Sequence, residues 1–131
     1  MPDKIIATLA PWLSVDDGPT AIQFYKLAFG AREAYRMEDP GGGVVVRLVV
    51  GNSEFWVSAA SSRPPGNTQA ALGGNSLRMI LVVDNPDAAF AKAIEAGATA
   101  VFPVGEGHGW RLGRLADPFG MHWEIGKPLT A

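Results

Sequence analysis

Cysteine is absent from the 131 residues, so disulfides, thiolate metal sites and cysteine nucleophiles are all excluded. Basic residues are no more frequent than acidic ones, and the net charge of −2 gives no electrostatic basis for binding nucleic acid. No apolar run approaches the roughly 20 residues that cross a bilayer. The first residues also lack the pattern of a signal peptide. We therefore expect no membrane association, and a cytoplasmic location is the default.

Motifs for common catalytic chemistry are also missing. The three glycines Gly41–Gly43 join two predicted strands and do not lead into a helix, so they are no phosphate loop. Nothing is similar to a nucleophile elbow, and we predict no catalytic residue. What remains is 47% hydrophobic and 18% charged residues, which indicates one folded domain with a sizeable core.

The stretch from Trp110 to Gly126 predicts a β-hairpin. Its turn is Asp117-Pro118-Phe119-Gly120, where proline and glycine supply the backbone angles that a tight turn needs. In the second strand Met121, Trp123 and Ile125 alternate with His122 and Glu124. The apolar set should face the core. Glu124 then lies on the opposite face, where a carboxylate needs a partner or a ligand.

An internal repeat organises the chain. Val15-Asp16 and the glycine at 30 in the first half match Val83-Asp84 and the glycine at 97 in the second, with a spacing of about 68 residues. Each half predicts β-α-β-β-β, so the fold class is α+β. We place module one at 1–60, a linker at 61–75 and module two at 76–131. The first strand is expected over 5–13, and 105–109 is expected to be a loop.

The turn Asp117–Gly120, followed by an aromatic residue and Glu124, resembles the last hairpin of the glyoxalase / bleomycin-resistance / dioxygenase superfamily, also called vicinal oxygen chelate. The resemblance covers nearly the whole chain and implies two βαβββ modules whose curved mixed sheets form a cup with the helices outside. In metal-using members four inward side chains hold one divalent ion. By the resemblance, their positions fall on Ala10, at or near Val57, on Arg78 and on Glu124.

Only Glu124 among these four positions can bind a metal ion, because arginine keeps its proton and alanine and valine have no donor atom. We therefore predict neither a metal site nor a cofactor. An alternative with displaced ligands stays open. His122 and Glu124 share a strand face, and His108 would have to swing in from its loop.

The four tryptophans suggest what the cup holds instead. Aromatic walls with a few placed polar groups are typical of small-molecule pockets, and flat rings favour flat ligands. The metal-free bleomycin-resistance branch of the superfamily sequesters an aromatic antibiotic in this way. Trp123 is expected in the core. The predicted ligand-binding residues are Trp12, Phe55, Trp56, Arg78, Trp110, His122 and Glu124.

Three functions follow as hypotheses. The first is a metal-independent protein that sequesters a planar aromatic molecule, for antibiotic resistance or self-protection. The second is a metal-dependent lyase, isomerase or dioxygenase with displaced ligands. The third is a partner-binding domain whose cup is filled by its own side chains. We further predict a homodimer, since two-module chains leave sheet edges exposed, and an ion pair between Arg78 and Glu124.

Overall fold

The computed structural model of the protein describes residues 7–38, 40–59 and 77–129. Ten elements follow one another in the order that the repeat predicts. They are β1 (Trp12–Ser14), α1 (Gly18–Phe29), β2 (Arg32–Glu38), β3 (Val44–Val50), β4 (Ser53–Ala59), β5 (Met79–Val82), α2 (Pro86–Ala96), β6 (Thr99–Gly107), β7 (Trp110–Ala116) and β8 (His122–Pro128). The predicted linker lies outside the described residues.

Both helices begin and end on local signals in the sequence. The side chain of Asp17 accepts a hydrogen bond from the backbone N–H of Thr20 and caps α1, and Asn85 caps α2 in the same way. A proline occupies the first turn of each helix, where its missing N–H costs little. Gly30 ends α1 with φ of 69°, a conformation that glycine adopts without strain. The helical spacing of Ala89, Phe90, Ala93 and Ile94 predicts one buried stripe on α2, but Ile94 is exposed.

The strands form two separate four-stranded sheets, in the orders β1-β4-β3-β2 and β5-β8-β7-β6. In each sheet the first strand pairs in parallel with the last, and the other pairs are antiparallel. The two-module α+β fold is thus confirmed. Two boundaries are wrong. Residues 7–11 are not strand, and Pro11, which has no N–H for a ladder, directly precedes β1. Strand β6 continues to Gly107, through part of the predicted loop.

The two modules pack on each other through their helices and the helix-covered faces of their sheets. A buried carboxylate, Asp117, joins them. It accepts hydrogen bonds from the Tyr25 hydroxyl (2.5 Å), the Trp123 indole (2.9 Å) and the backbone N–H groups of Phe119 and Met121. Burial, together with the nearby Asp117 charge, raises the pKa of Tyr25 well above its ordinary value. The predicted core position of Trp123 is confirmed.

Among the described residues, each sheet therefore has one face against a helix and one face that no helix covers, which we call its open face. Strand alternation and the side-chain contacts assign the residues to these faces. The open face of the first sheet carries Trp12, Tyr35, Met37, Arg47, Glu54, Trp56 and Ser58. The open face of the second carries Arg78, Ile80, Val82, Phe102, Arg114, His122 and Glu124.

Candidate functional site

A pair of stacked indoles forms the centre of the first open face. Trp12 and Trp56 are partners in the parallel β1–β4 ladder, so their rings stack. The ring centroids are 5.5 Å apart and the ring planes are 13° from parallel. The indole N–H of Trp12 donates to Ser58 Oγ at 2.8 Å, which fixes its ring. Tyr35 meets the Trp56 ring edge-on, and the Arg47 guanidinium lies 5.8 Å from the Trp56 centroid. The result is a stack of two indoles in which Trp12, on the terminal strand, is more than half exposed.

A carboxylate held by two arginines forms the centre of the second open face. Arg78 Nε lies 2.9 Å from Glu124 Oε2, and Arg114 Nη2 donates to the same oxygen at 3.1 Å. The predicted Arg78–Glu124 ion pair is therefore confirmed. The Arg114 guanidinium also rests on the Phe102 ring, 5.1 Å from its centroid. His122 lies on the same strand face, two residues before Glu124.

The strand registers show which residues of the two modules are equivalent. Ile80 pairs with Glu124 as Trp12 pairs with Trp56. Ile80 comes 68 residues after Trp12, and Glu124 comes 68 residues after Trp56. Trp56, not Val57, is therefore the counterpart of Glu124. Val57 is fully buried on the helix-covered face, so the metal position that the resemblance put at or near Val57 falls on Trp56. The pairing register between β1 and β4 could not be read from local sequence.

The residues at the four metal positions do not fit a metal ion. With the corrected register these positions are Ala10, Trp56, Arg78 and Glu124, so the donor set is a single carboxylate that already binds two guanidinium groups. Within residues 7–38, 40–59 and 77–129, no group of three or more His, Asp or Glu side chains could hold a metal. We derive no reaction step through a metal.

The two histidines lie at opposite ends of β7. His108, with φ of 52°, is exposed in the turn before this strand, and His122 pairs with Ala116 at its other end. Seven extended residues separate the two ends by roughly 20 Å. The proposed site of His108, His122 and Glu124 is therefore not assembled, although His122 and Glu124 remain on one face.

Phe55 and Trp110 lie apart from these two clusters. Phe55 is buried on the helix-covered face against Tyr25 and Trp123. It also lines a cleft of about 930 Å³ between the modules, along β5. Of the seven predicted ligand-binding residues, Phe55 is the one that lines this cleft. Trp110 begins β7, four residues before Arg114. We therefore place the candidate site on the open faces and not in the cleft.

Sequence reasoning missed Tyr35, Arg47, Phe102 and Arg114. The repeat carried a usable signal for the two arginines, because Arg47 pairs with Trp56 on β3–β4 as Arg114 pairs with Glu124 on β7–β8. Each arginine thus lies beside the residue that takes the last-strand metal position of its module, Trp56 or Glu124. Tyr35 and Phe102 are equivalent in the same way, because Tyr35 pairs with Arg47 as Phe102 pairs with Arg114. Irregularities in β2 and β6 next to these residues break the alternation that would place them on a face from sequence.

A family model matches residues 5–125, so the chain belongs to the Glyoxalase/Bleomycin resistance protein/Dioxygenase superfamily. Relatives in sequence include an uncharacterised protein of Mycobacterium tuberculosis (strain ATCC 25618 / H37Rv). It is 38% identical over 128 residues, which span 92% of this chain and 74% of that protein.

Solved structures of similar fold include the Arabidopsis thaliana gene product At5g48480. It has a TM-score of 0.72 and 30% identity, covering 94% of this chain and 100% of that chain. TioX from Micromonospora sp. ML1 has a TM-score of 0.70 and 24% identity, with 95% and 98% covered. The fosfomycin resistance protein FosX of Listeria monocytogenes has a TM-score of 0.72 and 13% identity, with 95% of each chain covered. The last two likenesses concern the fold alone.

None of the helices in the described ranges is long and apolar enough to cross a membrane.

Proposed function

We propose that the protein is a metal-independent binding protein that sequesters a planar aromatic small molecule, such as an antibiotic or another natural product. The observation that carries this proposal is the Trp12–Trp56 stack. Two parallel indoles on a solvent-facing sheet, with Trp12 more than half exposed, are a platform for a flat ligand. One of them, Trp56, occupies a position that holds a metal ligand in metal-using members of the superfamily.

A second copy of the chain completes the site in this proposal. The modules of one chain meet through their helices, so the open faces carry exposed apolar side chains: Trp12, Tyr35, Met37, Ile80, Val82 and Phe102. Strands β1 and β5 are also terminal strands of their sheets, and terminal strands favour pairing. Every copy carries both open faces. In two copies related by a two-fold axis, the open face of each first sheet is therefore covered by the open face of the other copy's second sheet.

Tryptophan fluorescence tests the binding function. We expect a panel of planar aromatic natural products to include a compound that quenches or shifts the emission with saturation. Trp12→Leu should weaken the binding of that compound about tenfold or more, because a stacking surface is lost. Leu27→Ala is the matched control, since Leu27 is 53% exposed and Trp12 54%, but Leu27 lies on α1. A panel without any saturable response would argue strongly against this function.

A metal-dependent lyase, isomerase or dioxygenase is the second candidate, favoured by one observation: His122 and Glu124 share an open face. Metal analysis of the purified protein, with thermal shifts in nickel, zinc, manganese and iron(II), separates the two functions. Stoichiometric metal that is lost in Glu124→Gln would establish the enzyme and refute the metal-independent site. The binding function predicts no such metal.

A further inference from the structure

The two arginines at Glu124 leave an excess of positive charge on the second open face. Arg78 and Arg114 each carry one charge, and Glu124 neutralises one of them. Their closest contacts converge on a single oxygen, Oε2, and use one nitrogen of each guanidinium. Since a guanidinium has five N–H groups, further donors are available at this point for another acceptor.

One of those donors is buried without a partner. Arg114 Nε is shielded from solvent and makes no hydrogen bond within the part of the chain that the structure describes. Leaving a charged donor unsatisfied is unfavourable, and a ligand oxygen would relieve it. The Phe102 ring lies against the guanidinium on one side and Glu124 accepts from Nη2, so the position of the group is fixed.

The equivalent arginine of the first module has the same feature. Arg47 Nε is also buried and has no hydrogen-bond partner among the described residues, because Glu54 Oε2 lies 3.7 Å away, beyond hydrogen-bonding distance. Arg47 lies over the Trp56 ring, so a cationic donor and the aromatic platform are adjacent. Both open faces therefore combine an aromatic ring with an unsatisfied guanidinium.

We propose that the ligand is a planar aromatic acid, whose ring stacks on the tryptophan pair of one copy and whose carboxylate binds Arg78 and Arg114 of the copy that covers it. This inference rests on the binding function proposed above. The carboxylate would accept charge-assisted hydrogen bonds from guanidinium groups that Glu124 holds in place. A cationic aromatic compound is disfavoured, because it would meet a net positive charge.

Two probes that share the same fused ring system but differ in charge test the proposal. Isothermal titration calorimetry of the full chain would compare 2-naphthoate with neutral 2-naphthamide. We expect naphthoate to bind about tenfold or more tightly than naphthamide, since hydrogen bonds to charged groups are the stronger ones. Arg78→Met and Arg114→Met should each remove most of that preference, because each lowers the affinity for naphthoate more than the affinity for naphthamide. Arg111→Met is the matched control, because Arg111 lies on the helix-covered face and pairs with Asp87.

The outcomes separate the two proposals. Equal affinity for the two probes would refute the acid and leave the aromatic site standing. If neither probe binds, both the proposed aromatic site and the proposed acid ligand are refuted. A preference for naphthoate that survives both substitutions would place the anion elsewhere and overturn the assignment. Arg114→Lys keeps the charge. If this variant still prefers naphthoate, the loss of preference in Arg114→Met comes from the lost charge and not from misfolding.

Discussion

Tyr25 and Asp117 connect the two modules at the scale of single residues. Tyr25→Phe removes the hydroxyl that donates to the buried carboxylate and leaves three donors on it. We expect a loss of about 1.5–3 kcal/mol in the free energy of unfolding, because the bond involves a charged acceptor in the core. Urea denaturation measures it. Tyr35→Phe, the same change on an exposed open face, should stay within about 0.5 kcal/mol. Equal losses in the two variants would contradict this role.

Glu124 and its two arginines give a second prediction at this scale. The Arg78 side chain is 54% exposed, so its coupling to Glu124 should be at most about 1 kcal/mol. Arg114 and Glu124 are only 24% and 18% exposed, and their coupling should be larger, about 1–2 kcal/mol. Double-mutant cycles with Glu124→Gln, Arg78→Met and Arg114→Met measure both values. A coupling near zero for Arg114, or a larger one for Arg78, would show that burial does not set these energies.

At the scale of elements, the close approach of α2 to the second sheet depends on Gly113 in β7. A Cβ there would lie 2.9 Å from Val104 N and 3.0 Å from Phe90 Cε2. Gly113→Ala should therefore cost about 1–3 kcal/mol of stability through overpacking. Gly105→Ala on neighbouring β6 is the control, because no atom lies within 4 Å of its added Cβ. Thermal unfolding compares them, and similar melting temperatures would be inconsistent with tight packing at Gly113.

At the scale of the whole molecule, the proposed assembly is a homodimer in which an open face of one copy covers an open face of the other. Ile80 is exposed on β5 in the single chain and would be buried in the proposed dimer. Ile80→Lys should give a monomer at micromolar concentration, because a buried lysine without a partner is unfavourable. Light scattering measures the mass, and circular dichroism checks the fold. Leu27→Lys, on α1, should remain dimeric. A monomeric wild-type protein, or a dimeric Ile80→Lys variant, would refute this assembly.

The sequence by itself determined the elements and their order. Asp17, Asn85, Pro118 and the glycines at helix ends and turns act through bonds and backbone angles within a few residues, so their effects are legible locally. The repeat then determined the two-module fold, and alternation placed Trp123 in the core and Glu124 on the opposite face. The Arg78–Glu124 pair was predictable because the resemblance places both residues at metal-ligand positions of the second module.

Only the tertiary structure decided what these side chains meet. Trp12 stacks on Trp56, rather than facing Val57, because the register of a parallel pair is set by packing between residues 44 positions apart in the chain. Arg114 joins Glu124 because β7 and β8 pair in one register. The modules meet through their helices because the largest apolar surfaces lie there, around Tyr25 and Trp123. That packing leaves both open faces to solvent, and such long-range competition between surfaces has no local signature in sequence.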